Sequence, residues 1–349
     1  MHDHLSESVS GNPMAFKGFS LLFKRARGKC FARAYLIVNR QSYMYVRDTV
    51  HWILNELERF LVKQHCHGRH EGGRLTAVEF RVQDDVSEKV IVENALVLVI
   101  GDPFGPFRKQ ENSTYVFINF SLLYDLSPRG MTDASARDWI ERKRQAMIQR
   151  AKMYDAVLNF LPEQQEILSF DLAPLALEVF PFFVDIALPE QKKACRDEPL
   201  WDLCIVGSRT PRREKLFNYL RQHGITLSPT ESDDLENTMR KSRIVLNVHA
   251  YQTLNTEYPR IVQALALGCC LVTEPCLGLE KVIPEHCYCC VSFELMPNKI
   301  MSLLKSPRLC NKLGENASRF MRDKYRKRSQ SQFIARISEL SSLHERLRQ

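Results

Sequence analysis

A chain of 349 residues with 44% apolar content has material for two domains, each with its own core. It holds no run of the roughly 18 to 20 apolar residues that a membrane-spanning helix needs, and its start, MHDHLSESVSGNP, lacks the charged-then-apolar pattern of a secretory signal; a soluble, cytoplasmic protein with no transmembrane segment is expected. The net charge of +8 leaves nucleic acid, a membrane surface and a phosphate-bearing small ligand all open, because its densest stretches, 17–29 and 322–328, read as solvated faces.

Residues 1–28 show no periodicity and form a basic leader to which no chemistry is assigned. A strand is expected over 32–38. The spacing of Val46, Val50, Ile53, Leu54, Leu57 and Leu61 then predicts a helix over 46–62. Strands follow at 75–82, at 95–100 (running into Gly101-Asp102-Pro103-Phe104-Gly105) and at 115–119, then a helix at 134–153 and a strand at 156–160. Such alternation implies a parallel sheet covered on both faces. A polar, proline-flanked stretch places a linker at 189–199, after a first domain of 29–188.

A second series begins with a strand at 203–206, a helix at 213–223 stopped by Gly224, a strand at 225–227, a helix at 233–241 and a strand at 244–248. It continues with a helix at 258–267 stopped by Gly268, strands at 270–273 and 288–293, and helices at 299–304 and 310–325. The domain thus spans 200–325, and a final amphipathic helix, 326–349, carries Phe333, Ile337 and Leu340 on one face, a stripe suited to packing. The fold class is α/β, two tandem Rossmann-like domains with C-terminal helices. A ligand then belongs in the interdomain cleft, at the carboxyl ends of the strands.

Eleven cysteines include a crowd at Cys269, Cys270, Cys276, Cys287, Cys289 and Cys290. The only C-x-x-C there has no second knuckle and lies in apolar strand-like runs, so burial as small hydrophobes is expected rather than zinc. The histidines of the polar loop 64–70 lack a completing ligand set and read as solvated.

Two segments carry candidate chemistry. Gly207-Ser208-Arg209-Thr210-Pro211-Arg212-Arg213 leads from a strand straight into a helix, where free N–H groups and arginines suit phosphate oxygens. A plain turn before a soluble helix accounts for it equally well, since neither G-x-x-x-x-G-K-[ST] nor G-x-G-x-x-G occurs. Asn247-Val-His249 ends a strand. Beyond it Glu257, Pro259, Arg260 and Gln263 begin a helix whose start can hold a ribose while its dipole faces phosphate.

On these residues the run RIVLNVHAYQTLNTEYPRIVQALALGCCLVTEPCLGLEKVI resembles the donor-binding segment of GT-B glycosyltransferases, in particular the spore-maturation, CgeB-like branch and the glycosyltransferase family 1 group. Asn247, His249, Glu257, Arg260, Ala264, Ala266 and Gly268 follow the family order, and CIVGSRTPRREKLFNYL is similar to its Val-Gly-Ser loop. The resemblance spans most of 95–325 and is strongest over 203–283. It implies hexosyl-type transfer from a nucleotide diphosphosugar, with no cofactor and no metal, to an unidentified acceptor on the first-domain side. Donor-binding residues would be Gly207, Ser208, Arg209, Arg213, Asn247, His249, Glu257, Arg260 and Gln263. The candidate catalytic carboxylates are Glu257 and Asp102; a chain-turning aspartate before Pro103 is the plainer account of the latter. No Asp-x-Asp occurs, consistent with arginines and helix N–H groups meeting the diphosphate charge. One departure stands out: the Glu-x7-Glu pair of retaining members is Asn255 and Gln263 here. Two rivals stay open, a catalytically degenerate binding module and an enzyme that glycosylates nucleic acid, for which no motif speaks.

Overall fold

The computed structural model describes residues 33–66, 78–83, 95–100, 113–119, 134–172, 176–178, 181–184, 199–207, 209–229, 234–250 and 252–347. The leader 1–28, Asp102, Ser208, the histidine-loop residues 67–70 and all but the last residue of the expected linker lie outside the described residues.

The first lobe runs β1 (Arg33–Asn39), α1 (Arg40–Cys66), β2 (Val78–Gln83), β3 (Ala95–Ile100), β4 (Thr114–Asn119), α2 (Ala134–Ala151) and β5 (Ala156–Asn159). A 3-10 turn (Pro162–Gln164), α3 (Gln165–Leu172) and β6 (Ala176–Glu178) complete it. Its sheet has the order β2-β1-β3-β4-β5-β6, every pair parallel. Strands β3 and β4 are buried at each residue, as strands covered on both faces must be. Tyr35 and Ile37 face a layer formed by Ile148, Ala151, Leu168 and Leu172 of α2 and α3. Ala34, Leu36 and Val38 face the opposite layer, which α1 builds with Val50, Ile53 and Leu57. The periodicity expected from Val46 onward starts where α1 is kinked, since Val46 itself has φ −124° and ψ 19°.

The second lobe follows with β7 (Trp201–Ile205), α4 (Pro211–Gln222), α5 (Leu235–Arg240), β8 (Ser242–Asn247), α6 (Tyr258–Ala266) and β9 (Cys270–Thr273). Then come α7 (Leu279–Val282), a 3-10 turn (Glu285–Cys287), β10 (Cys289–Cys290), α8 (Met296–Leu304) and α9 (Pro307–Phe320). A π-helical turn (Met321–Tyr325) leads into α10 (Arg326–Leu347). This sheet is parallel too, ordered β10-β9-β8-β7. Gly268, at φ +72°, ends α6: its N–H bonds Leu265 and the Cys269 N–H reaches back to Ala264, a left-handed cap that glycine makes without strain.

Some expectations are corrected. The strand foreseen at 225–227 is a single bridge from Leu227 to Leu203, and that at 288–293 shrinks to Cys289 and Cys290, because β9 offers only Val272 and Thr273 as partners before the chain turns at Ser292. The helix foreseen to Tyr325 gives way after Phe320 to the π turn. Short α3, β6 and α7 were not foreseen. Of the described cysteines, Cys204, Cys269, Cys270, Cys276, Cys287, Cys289 and Cys310 are buried as core, whereas Cys290, expected to be buried with its neighbours, is exposed. Among the described residues no group of His, Cys, Asp and Glu is arranged to hold a metal, and no helix is long and apolar enough to cross a membrane.

The C-terminal helix returns to the first lobe. Phe333, Ile337 and Leu340 of α10 join the core layer of α1, with Phe333 against Trp52 and Phe182 at ring separations of 5.6 and 5.4 Å. Alongside, Ser329 Oγ donates to the Pro181 carbonyl (2.9 Å) and Gln330 Nε2 to the buried Glu56 (2.7 Å).

Candidate functional site

The carboxyl ends of β7, β8 and β9 meet at one place. Beyond β7 the chain turns through Gly207 at φ +100°, a backbone region that L side chains rarely adopt. Thr210 then caps α4: its hydroxyl accepts the Arg213 N–H at 3.3 Å, with Pro211 at the first helical position. The first turn of α4 therefore aims Arg212 and Arg213 at the exit of β8.

The two arginines grip adjacent carbonyls and then part. Arg213 Nε donates to the Val248 carbonyl at 2.8 Å and Arg212 Nη1 to that of His249 at 3.1 Å. Arg212 also forms a bidentate pair with buried Glu274, just past β9 (2.8 and 2.5 Å), and stacks on the Phe293 ring, 3.9 Å from its centre. Glu274 accepts the His249 N–H as well (2.7 Å). Arg212 is thus neutralised and acts as a brace.

Arg213 and Arg260 share a carboxylate. Glu257, the N-cap of α6, accepts from Arg260 at 3.0 and 3.2 Å and lies 4.0 Å from Arg213 Nη2. Arg260 Nη1 also donates to the Asn247 side chain (3.2 Å), which in turn donates to Thr273 (3.0 Å). His249 Nδ1 stands 3.8 Å from Glu257, on the same carboxylate oxygen that Arg260 Nη1 meets. Burial, then the Arg260 charge, presses the Arg213 guanidinium below its ordinary value, while Glu257 and Glu274 oppose them. A guanidinium stays charged even so. Two guanidiniums against one carboxylate leave a surplus positive charge beside Gly207, at the N-termini of α4 and α6.

A Cβ at Gly207 would sit 2.8 Å from Arg213 Nη1 and 3.2 Å from Arg260 Nη2. The turn lets backbone and both cations share one concavity. Replacing Gly207 by alanine should cost about 1–2 kcal/mol of stability from the left-handed backbone and weaken pyrophosphate binding about tenfold by displacing the guanidiniums. Urea unfolding and calorimetry read the two effects separately.

Of the residues expected from sequence, Gly207, Arg213, Asn247, His249, Glu257 and Arg260 come together here. Arg209 does not join them: its side chain is 60% exposed and turns back to Glu214 at 3.2 Å. Gln263 lies one helical turn beyond Arg260 and donates from Nε2 to Asp48 of α1 at 2.7 Å, across the lobes. Asn255 is buried and bonded to Thr253. Asp102 and Ser208 lie outside the described residues. Arg212, one of the loop arginines suited to phosphate by sequence, is instead the brace to Glu274, and Glu274 and Asp48 join the site without any signal in local spacing.

Residues 191–336 match a family model described as glycosyl transferase-like. No curated protein matches the sequence. Among solved structures, Anabaena HepE in complex with UDP-glucose aligns at 9% identity with a TM-score of 0.54, over 88% of this chain and 99% of that one. A sucrose-phosphate synthase from Thermosynechococcus elongatus aligns at 12% identity and TM-score 0.51, over 89% and 98% of the two chains. A variant of S. aureus TarM in complex with Fondaparinux, alpha-GlcNAc-glycerol and UDP aligns at 10% identity and TM-score 0.52, over 71% of this chain but only 55% of that one, so the chain spans about half of TarM's length. The two parallel-sheet lobes therefore have the GT-B glycosyltransferase fold, with a glycosyl transferase-like region over 191–336.

Proposed function

We propose that the protein is a glycosyltransferase that moves a sugar from a nucleotide diphosphosugar to an acceptor hydroxyl or other nucleophile. One observation carries this reading: buried Arg213 and partly buried Arg260 flank the Gly207 turn with Glu257 as their shared carboxylate. The match of 191–336 to the glycosyl transferase-like model supports it, as do UDP and UDP-glucose in solved relatives of the fold.

In the proposed reaction the bond from the anomeric carbon to the diphosphate breaks, its electron pair stays on the diphosphate, and the acceptor oxygen takes its place. The hard step is meeting the departing charge. Arg213, Arg260 and the first N–H groups of α4 and α6 supply positive potential without reorganisation, which is where electrostatic catalysis gains most. In this proposal no metal is required. Glu257 orients the two guanidiniums, and Asn247 and the Arg212–Glu274 brace fix the strand ends over which they reach. Hexose as the transferred unit and a cytoplasmic setting belong to the proposal.

The degenerate alternative draws on one observation: Gln263 is an amide already engaged with Asp48. A panel of UDP-, GDP- and ADP-sugars, followed for binding and for nucleoside diphosphate release, decides between them. Binding with release supports transfer; binding without turnover on any acceptor supports the binding module; no binding of any donor overturns both.

A further inference from the structure

The cationic cluster around Gly207 suits phosphate, yet a nucleotide sugar also carries hydroxyls on its ribose and its sugar, and hydroxyl donors need acceptors. Carboxylates, with two all-acceptor oxygens, serve best. At the cleft end of α6, Glu257 is already spent on Arg260. The next carboxylate along that face is not on α6. Gln263, three residues beyond Arg260 and hence its neighbour on the helix surface, donates to Asp48 Oδ2 at 2.7 Å.

Asp48 is carried by the first lobe, two residues past the kink of α1 at Val46. Its Oδ2 is fixed by Gln263. Its Oδ1 pairs with Nε of half-exposed Arg47 at 3.6 Å, and 27% of the Asp48 side chain remains open. Burial raises the Asp48 carboxyl above the ordinary aspartate range; the charge of Arg47, then His51, and a hydrogen bond from the Arg47 side chain oppose the rise, and Glu236 of α5 adds to it. A partly desolvated carboxylate whose side chain stays partly open is a strong acceptor for further donors.

Resting on the glycosyltransferase reading, we propose that Asp48 is the first lobe's contribution to the donor site: a hydroxyl-accepting carboxylate oriented across the cleft by the Gln263 amide. The amide at 263 is then matched to its partner, because a glutamate there would face Asp48 charge to charge. Donor binding would bridge the lobes through the Gln263–Asp48 contact.

The test compares inorganic pyrophosphate, nucleoside diphosphate and nucleotide sugar binding to the full chain and to Asp48→Asn, an isosteric change, by calorimetry. Pyrophosphate has no hydroxyl, so its affinity should stay within about twofold or rise as a negative charge is removed from a site for anions. Nucleoside diphosphate affinity should fall about tenfold if ribose hydroxyls are the donors; a fall only with the nucleotide sugar assigns the contact to the transferred sugar. The double variant Asp48→Asn with Gln263→Glu restores an amide–carboxylate pair in reverse and should recover most of the loss, whereas Gln263→Glu alone should not. Equal affinity of Asp48→Asn and wild type for all three ligands, or equal weakening for all three, overturns the proposal. Failure of every nucleotide to bind the wild type instead overturns the reading on which it rests.

Discussion

Replacing Arg213 by methionine is expected to weaken nucleoside diphosphate and pyrophosphate binding about 100-fold while leaving the fold nearly as stable as before. The affinity follows from the chemistry of the contact: a hydrogen bond to a charged group is worth about 1.5–3 kcal/mol, and about 1.4 kcal/mol is a factor of ten. A buried guanidinium that meets two phosphate oxygens lies at the upper end of that range. The stability follows from the neighbours. Arg213 is buried beside Arg260, and both its burial and that second charge disfavour its charged form. Methionine removes a desolvated cation and its repulsion, and leaves the Val248 carbonyl short of one donor. These effects oppose, so the net change should lie within about 1 kcal/mol.

Lysine at the same position separates charge from geometry. It keeps the cation but loses the fork that bonds Val248 and faces Gly207 together, and should recover only about a tenth of the lost affinity. Calorimetric titration of pyrophosphate and urea unfolding of Arg213→Met, Arg213→Lys and wild type measure both sides. A loss of several kcal/mol in stability with unchanged pyrophosphate affinity would make Arg213 a structural residue and remove the main support for the anion site.

The parts of this site that the sequence announced are those set by local geometry. A glycine after a strand, arginines at a helix start, and Glu257 and Arg260 three residues apart are all read from spacing, and the chain folds them as spaced. What spacing cannot supply is which side chain of Arg209, Arg212 and Arg213 turns inward. The Thr210 cap decides it: 212 and 213 fall in the first turn, over the strand ends, whereas Arg209 precedes the cap and returns to Glu214. Contacts between distant segments were hidden for a related reason. Arg212 and Glu274 are 62 positions apart and Asp48 and Gln263 are 215 apart, and no periodicity links them. In the fold, α1 shows by its length and β3, β4 and β9 by their mainly apolar runs, whereas α3, β6 and α7 are too short to show a period.

The stripe at Phe333, Ile337 and Leu340 leads to the other large expected effect. Phe333 is 1% exposed and packs between Trp52 of α1 and Phe182. Phe182 in turn packs on Phe160, after β5, at 5.2 Å, and Phe160 meets Tyr258, the first residue of α6, edge to face at 6.0 Å. This run of rings joins α10 to the first lobe and the first lobe to the helix that bears Arg260. Phe333→Ala empties its end of that run and should destabilise the protein by about 3–5 kcal/mol, the cost of a large buried aromatic plus the cavity it leaves; Phe333→Leu, which keeps much of the volume, should cost about 1–2 kcal/mol. Urea unfolding with matched slopes measures both. The guanidiniums of Arg213 and Arg260 are held by Val248, Asn247 and Glu257 within the second lobe. Pyrophosphate affinity of the folded Phe333→Ala protein should therefore stay within about threefold of wild type. Nucleoside diphosphate affinity should fall further, because the Asp48 contact depends on how α1 sits against α6. If both ligands instead weaken in parallel, the anion site itself leans on the docking of α10, and the lobes are coupled more tightly than the hydrogen bonds of the second lobe require.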